Sequence, residues 1–170
     1  MALSGIYPVD VTGARFEEVS TTALFKPGTV TRDNLGGNWE YVKANEAITV
    51  YSVVHISAAA IPLIEMTEIA DMNTGSKKLG VAQVAFAQNE YGWVWRGPGG
   101  GVGYGIKVRS ENQTAGTLCH PLSGTAGAVD DANVDEGVIA GLVTLTTTTT
   151  ITAVECFATT LLTCNLGEAD

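Results

Sequence analysis

Apolar and polar positions alternate with a period of two through most of this chain, which is the spacing of a pleated strand, and the spacing of an amphipathic helix is sustained nowhere. Residues 81–86 set Ala82, Val84 and Phe86 on one face and Val81, Gln83 and Ala85 on the other. Both faces are largely apolar, so this strand is expected to be buried on both sides or to lie under a long loop. Gln88, Asn89 and Glu90 supply turn chemistry, since Asn tolerates left-handed backbone. Residues 91–96 then place Tyr91, Trp93 and Trp95 on one face, completing a hairpin. Such an aromatic face reads as a core wall or an interface before it reads as a platform for sugars or bases. Gly97, Pro98, Gly99, Gly100 and Gly101 break any regular element, after which Tyr104, Ile106 and Val108 alternate with Gly105, Lys107 and Arg109 in a half-solvated strand.

Upstream, residues 28–32, a turn at 33–38 and residues 39–43 predict a second hairpin, with Trp39 and Tyr41 on one face. Residues 47–56 read as one strand, with Ile48, Val50, Val54 and Ile56 opposite Tyr51, Val53 and His55. Residues 61–72 fit neither period and are left as strand or loop, and 71–78 form a polar excursion. Downstream, 109–137 are loop-dominated with a short strand near 116–120, and a loop that long tends to be functional. Residues 138–145 predict a buried strand. Five consecutive threonines at 146–150 belong on an exposed edge or hairpin tip, and 151–163 close the sheet with Val154, Cys156 and Ala158 facing inward.

Composition agrees with this class. The chain has 170 residues, 45% hydrophobic and 16% charged, with 20 glycines, which suits one all-β domain. Its plan is an extended N-terminal arm over residues 1–22, an all-β domain over 23–165 and an acidic tail over 166–170. Scattered apolar residues in the arm are costly to leave in water, so Ile6, Tyr7 and Phe16 are the expected contacts to a partner or a second subunit. A formal net charge of -9 argues against a nucleic-acid partner, which requires a basic footprint. No apolar run approaches the ~18–20 residues of a membrane helix, and the first residues lack a basic region and an apolar signal core, so a soluble protein made in the cytoplasm is expected, with no membrane partner.

Candidate chemistry is sparse. Cys119 and His120 are adjacent, but neighbouring strand residues point to opposite faces, which disfavours a nucleophilic dyad. His55 has no Cys, Asp or second His at ligand spacing and reads as a polar or packed strand residue. Asp130, Asp131, Asn133, Asp135 and Glu136 offer alternating oxygen ligands, yet counting from Asp131 the sixth and twelfth positions of a calcium loop hold Glu136 and Leu142, so a solvated acidic loop is expected. The glycine cluster at 97–105 lacks the Lys-Ser/Thr and helix of a phosphate loop. Cys119, Cys156 and Cys164 read as reduced thiols, mostly buried, with a Cys156 to Cys164 bridge as the alternative. The residues therefore predict no enzyme, no cofactor and no metal.

One resemblance adds to this. The segments GVAQVAF, NEYGWVWRGPG, IKVRSENQTAGTLC and GAVDDANVDEGVIAGLV, with the earlier NWEYVKANEAITVYSVV, resemble small capsid-associated proteins of tailed bacteriophages over residues 28–143. The resemblance implies a decoration (cement) or minor head protein with a β-barrel or β-tulip-like domain. It further implies a homotrimer on the outer surface of the virion, with the major capsid protein as partner. The acidic, Thr-rich end and the insertion at 58–78 depart from that pattern. A carbohydrate- or receptor-binding module of a phage fibre or head appendage is the alternative.

Overall fold

The computed structural model describes residues 15–68, 78–101, 103–132 and 137–165. Among them are twelve strands and no helix: β1 (Val30–Arg32), β2 (Asn38–Ala44), β3 (Val53–Ile56), β4 (Leu63–Met66), β5 (Lys78–Ala82), β6 (Tyr91–Gly97), β7 (Gly99–Gly100), β8 (Lys107–Ser110), β9 (Leu118–Pro121), β10 (Val129–Asp130), β11 (Val138–Thr144) and β12 (Thr152–Asn165). The all-β class expected from the pleat period holds.

Five of these strands close a barrel. β2 pairs in parallel with β4, and β4–β3, β3–β5, β5–β6 and β6–β2 are antiparallel, so the series returns to its start. Alternation along each strand then decides which side chains go inside. Val42 and Ala44 of β2, Val54 and Ile56 of β3, Ile64 of β4, Ala82 of β5 and Val94 of β6 form one buried cluster together with Ile48 and Phe86. Their strand neighbours Trp39, Tyr41, Val53, Leu79, Val81, Trp93 and Trp95 belong to a second cluster on the outer wall, shared with Val108, Cys119, Val129, Ile139, Leu142, Val154 and Cys156 from the remaining strands. Residues on both faces of β5 are thus buried, as its two apolar faces required.

The hairpin of β1 and β2 forms with the register Val30 opposite Glu40 and Arg32 opposite Asn38. Its turn is held by Asp33, whose Oδ1 accepts from the amides of Leu35 (2.9 Å) and Gly37 (2.8 Å) while Oδ2 accepts from the indole Nε1 of Trp39 (2.8 Å). β5 and β6 also pair, but Val81 stands opposite Trp95, so the hairpin expected over 81–96 has its ladder at the far end from its turn. β5 ends at Ala82, and Phe86 reaches the barrel through an isolated bridge to Ile48. The single strand expected over 47–56 is likewise interrupted. Tyr51 adopts φ 66, a left-handed conformation that no pleated strand sustains, and β3 starts only at Val53. The ambiguous segment 61–72 contributes β4, while 69–77 lie outside the described residues. The glycine run is crossed by a short strand after all, since Gly99 and Gly100 pair with Ala158 and Phe157 of β12.

The remaining strands repeat a familiar order. β8 pairs in parallel with β10, and β10–β9, β9–β11, β11–β12 and β12–β8 are antiparallel. β12 also joins this group to the barrel by pairing Thr163 with Lys78 of β5. Val154, Cys156 and Ala158 are buried along β12 as expected, and four of the five threonines at 146–150 are exposed.

Candidate functional site

Two of the three contact residues expected in the arm, Ile6 and Tyr7, lie outside the described residues. The third is corrected. Phe16 is 2% exposed, its ring stacked on Trp39 at 4.5 Å between centroids and edge-on to Trp93 at 5.4 Å. A phenyl ring gains more from that aromatic wall than from water, so it belongs to the core and is unavailable for docking. Ser20 fixes the same segment by exchanging both backbone hydrogen bonds with Tyr91 (2.9 and 2.8 Å). The arm drawn over residues 1–22 is therefore part of the packed domain from Phe16 onward.

The aromatic face of β6 is core wall. Trp93 is the hub, with Phe16, Phe25 and Tyr41 rings within 5.1–5.4 Å, and Tyr91 stacks on Tyr41 at 6.3 Å. Trp93 and Trp95 are both buried, which leaves no exposed ladder of rings on that face for a sugar or base.

Groups that carry chemistry are also withdrawn from solvent. Cys119 and His120 are both buried, which strand alternation alone did not foresee for His120; its Nδ1 lies 3.1 Å from the carbonyl oxygen of Gly137. Burial pushes the Cys119 thiol up to about 12, and the same desolvation raises Cys156 well above the ordinary thiol range, so neither supplies a thiolate nucleophile. None of the three cysteines is in a disulfide, and all three are buried. Asp130, expected at a solvated loop, is buried on β10, and Asp131 Oδ2 accepts from the Thr114 amide at 2.8 Å. Residues 133–136 lie outside the described residues, and among the described residues no three His, Cys, Asp or Glu side chains gather as a metal site would require.

What does face outward is an apolar edge. Among the described residues β1 pairs with β2 and with no other strand, so its second edge has no described partner. Val30 at the start of β1 is 57% exposed, Leu24 just before it 64% and Ile61 48%. These residues belong to neighbouring segments. The Leu24 amide donates to the Tyr41 hydroxyl (3.1 Å), the Gly28 amide donates to the Tyr41 carbonyl (2.7 Å), and a Cβ at Gly28 would lie 3.4 Å from the Pro62 ring. An open strand edge flanked by large apolar side chains is a template for pairing with another chain, and soluble proteins normally blunt such edges with charge, Pro or a covering element. The sequence signal was present as Val30 and Ile61 but was indistinguishable from core residues until the strand order placed them at a margin.

Comparison with family models, with curated proteins and with solved structures finds no match for this chain.

Proposed function

We propose that this chain is a virion structural protein that decorates a tailed-phage capsid, docking through the open edge of β1 onto neighbouring major capsid subunits. The observation that carries this reading is the apolar edge of Leu24, Val30 and Ile61 on a body whose three cysteines, His120, Trp93 and Trp95 are buried. An edge of that kind suits addition to a partner's sheet, in which main-chain hydrogen bonds supply affinity and flanking side chains supply specificity. The resemblance over residues 28–143 supplies the class of partner. A protein that binds one state of a shell stabilises that state by mass action, and a homotrimer repeats one modest contact three times at a three-fold position. The reading implies no enzymatic activity and no cofactor, and it places the protein on the outer capsid surface after synthesis in the host cytoplasm. A receptor- or glycan-binding module would use the Tyr91, Trp93 and Trp95 face, and the burial of both tryptophans counts against it.

The test is addition of purified protein to preassembled undecorated heads, followed by sedimentation and thermal release of DNA. The wild-type chain should co-sediment and raise the release temperature. A Val30→Asp/Ile61→Asp variant with a wild-type circular dichroism spectrum should do neither. A wild-type protein that leaves head sedimentation and stability unchanged would overturn the reading.

A further inference from the structure

The two five-strand groups match at most of their pairings, with register shifts in the second at Ala140/Leu142 and Ile139/Val143. In the first, Val81 stands opposite Trp95 and Ala82 opposite Val94; in the second, Val143 stands opposite Phe157 and Thr144 opposite Cys156. Ala44 meets Ile64 in parallel, as Ser110 meets Val129. Isolated bridges join Ile48 to Phe86 and Gln113 to Thr148, each with two backbone hydrogen bonds of 2.9–3.1 Å. The Tyr51 amide donates to the Ala82 carbonyl, and the Gly116 amide to the Thr144 carbonyl; both donors have positive φ, 66° and 84°, a conformation uncommon outside glycine. The turns before them are closed alike, by Ser52 to Thr49 and by Thr117 to Thr114, each 3.2 Å.

Side chains carry the same trace. The chain has two histidines, His55 and His120, and they occupy the equivalent position, opposite Glu65 on β4 and Asp130 on β10. Val42 answers to Val108 and Lys43 to Arg109. Packing is exchanged in compensation: Gly92 lies where a Cβ would come within 2.7 Å of the Phe86 ring, and the equivalent pair is Val154 with the smaller Thr148. A large side chain facing none has become two of middle size, which conserves volume.

The interiors also differ in polarity. Ala44, Ile48 and Ala82 inside the first barrel are answered by Ser110, Gln113 and Thr144 in the second. These three are 0%, 1% and 0% exposed, and Ser110 Oγ, Gln113 Oε1 and Thr144 Oγ1 have no hydrogen-bond partner among the described residues. The Gln113 amide nitrogen is engaged, donating to Thr117 Oγ1 (2.7 Å) and to the Leu118 carbonyl (3.2 Å). Three buried polar atoms without partners are unfavourable in a dry core, and buried water is the ordinary means by which such groups are satisfied.

We propose that the chain is a tandem duplication of one five-strand unit, and that the second unit has exchanged a dry core for an internal hydration site at Ser110, Gln113 and Thr144. Duplication explains why two five-strand groups share one order, the same register at most of their pairings and one pair of histidines. The polar side chains at three equivalent positions supply the groups that bound water requires.

A high-resolution crystal structure of the full chain tests the site directly. Ordered water bonded to the Ser110, Gln113 and Thr144 side chains is expected, with none at Ala44, Ile48 and Ala82. An interior without water there, with these atoms bonded to protein groups instead, would overturn the hydration site. The duplication has its own test, because equivalent cages must accept each other's residues. The S110A/Q113I/T144A variant, which installs the first unit's residues in the second, should keep the wild-type circular dichroism spectrum and a cooperative melt while losing the water. Failure of this variant to fold, with Ser110→Ala and Thr144→Val each folding normally, would overturn the equivalence at Gln113 on which the duplication rests.

Discussion

Glu40 on β2 and Arg96 on β6 meet inside the protein, with the guanidinium Nη1 3.1 Å from Glu40 Oε2 and both side chains buried. Lys78 Nζ reaches the other carboxylate oxygen from β5. Arg96 also donates through Nε to the Leu79 carbonyl (2.7 Å) and through Nη2 to the Leu162 carbonyl (3.3 Å). Those carbonyls lie where β5 leaves β6 to pair with β12, so the guanidinium takes the place of missing ladder partners. Desolvation lowers the Arg96 pKa from its ordinary value and Glu40 opposes that shift. Removing one partner of a buried pair leaves a charge uncompensated, at a cost of about 3–5 kcal/mol. Glu40→Ala should therefore lose that much in urea unfolding. Arg96→Met should also destabilise, because it orphans two carbonyls, although Lys78 still pairs with Glu40.

Phe16 behaves as a core residue although it lies near the N-terminus. Phe16→Ala should cost about 3–5 kcal/mol, the range for truncating a buried aromatic, and Trp93→Ala should cost the same. A denaturant midpoint for Phe16→Ala equal to wild type would show that the ring is not packed on Trp39 in solution.

The thiols should be silent in the native protein. With Cys119 pushed up to about 12, it is almost wholly protonated at pH 8, and Cys156 is raised by the same burial. A disulfide-exchange reagent should leave both unreacted until denaturant is added and then count three thiols. Rapid native labelling of Cys119 would contradict its burial.

Asp131 gives stability a pH dependence of defined sign. Its pKa is lowered, chiefly by the Thr114 side-chain hydrogen bond and then by the Thr114 amide. Unfolded, the group titrates near ~3.9, so between that value and the lower folded one the unfolded state binds the proton and the native state does not. The contribution is present above the unfolded value and is lost as pH falls through the folded one. Wild-type and Asp131→Asn melting temperatures should thus differ at pH 7 and converge as the pH drops below about 3.9. A difference that is constant over this range would show that Asp131 is not held by Thr114.

The class of the fold was legible because strand alternation is local. A period of two needs only neighbouring residues, and it identified the β1–β2 hairpin, the two-sided burial of β5, the aromatic face of β6 and the inward residues of β12. Turn chemistry was legible for the same reason at Asn89, which has φ 72. What the sequence could not reveal was which strands are neighbours, because pairing joins residues far apart in the chain and every pleated segment carries the same period. Whether Phe16 was arm or core depended on Trp39 and Trp93 lying beside it. Whether Val30 was inside or at an edge depended on β1 standing last in the strand order of the described residues. The matching units were hidden too, since Ile48 and Gln113, or Phe86 and Thr148, share no chemistry and are related only by their bridges. Tertiary structure decided these points because burial and pairing are properties of a position in space, which a side chain's identity restricts but does not assign.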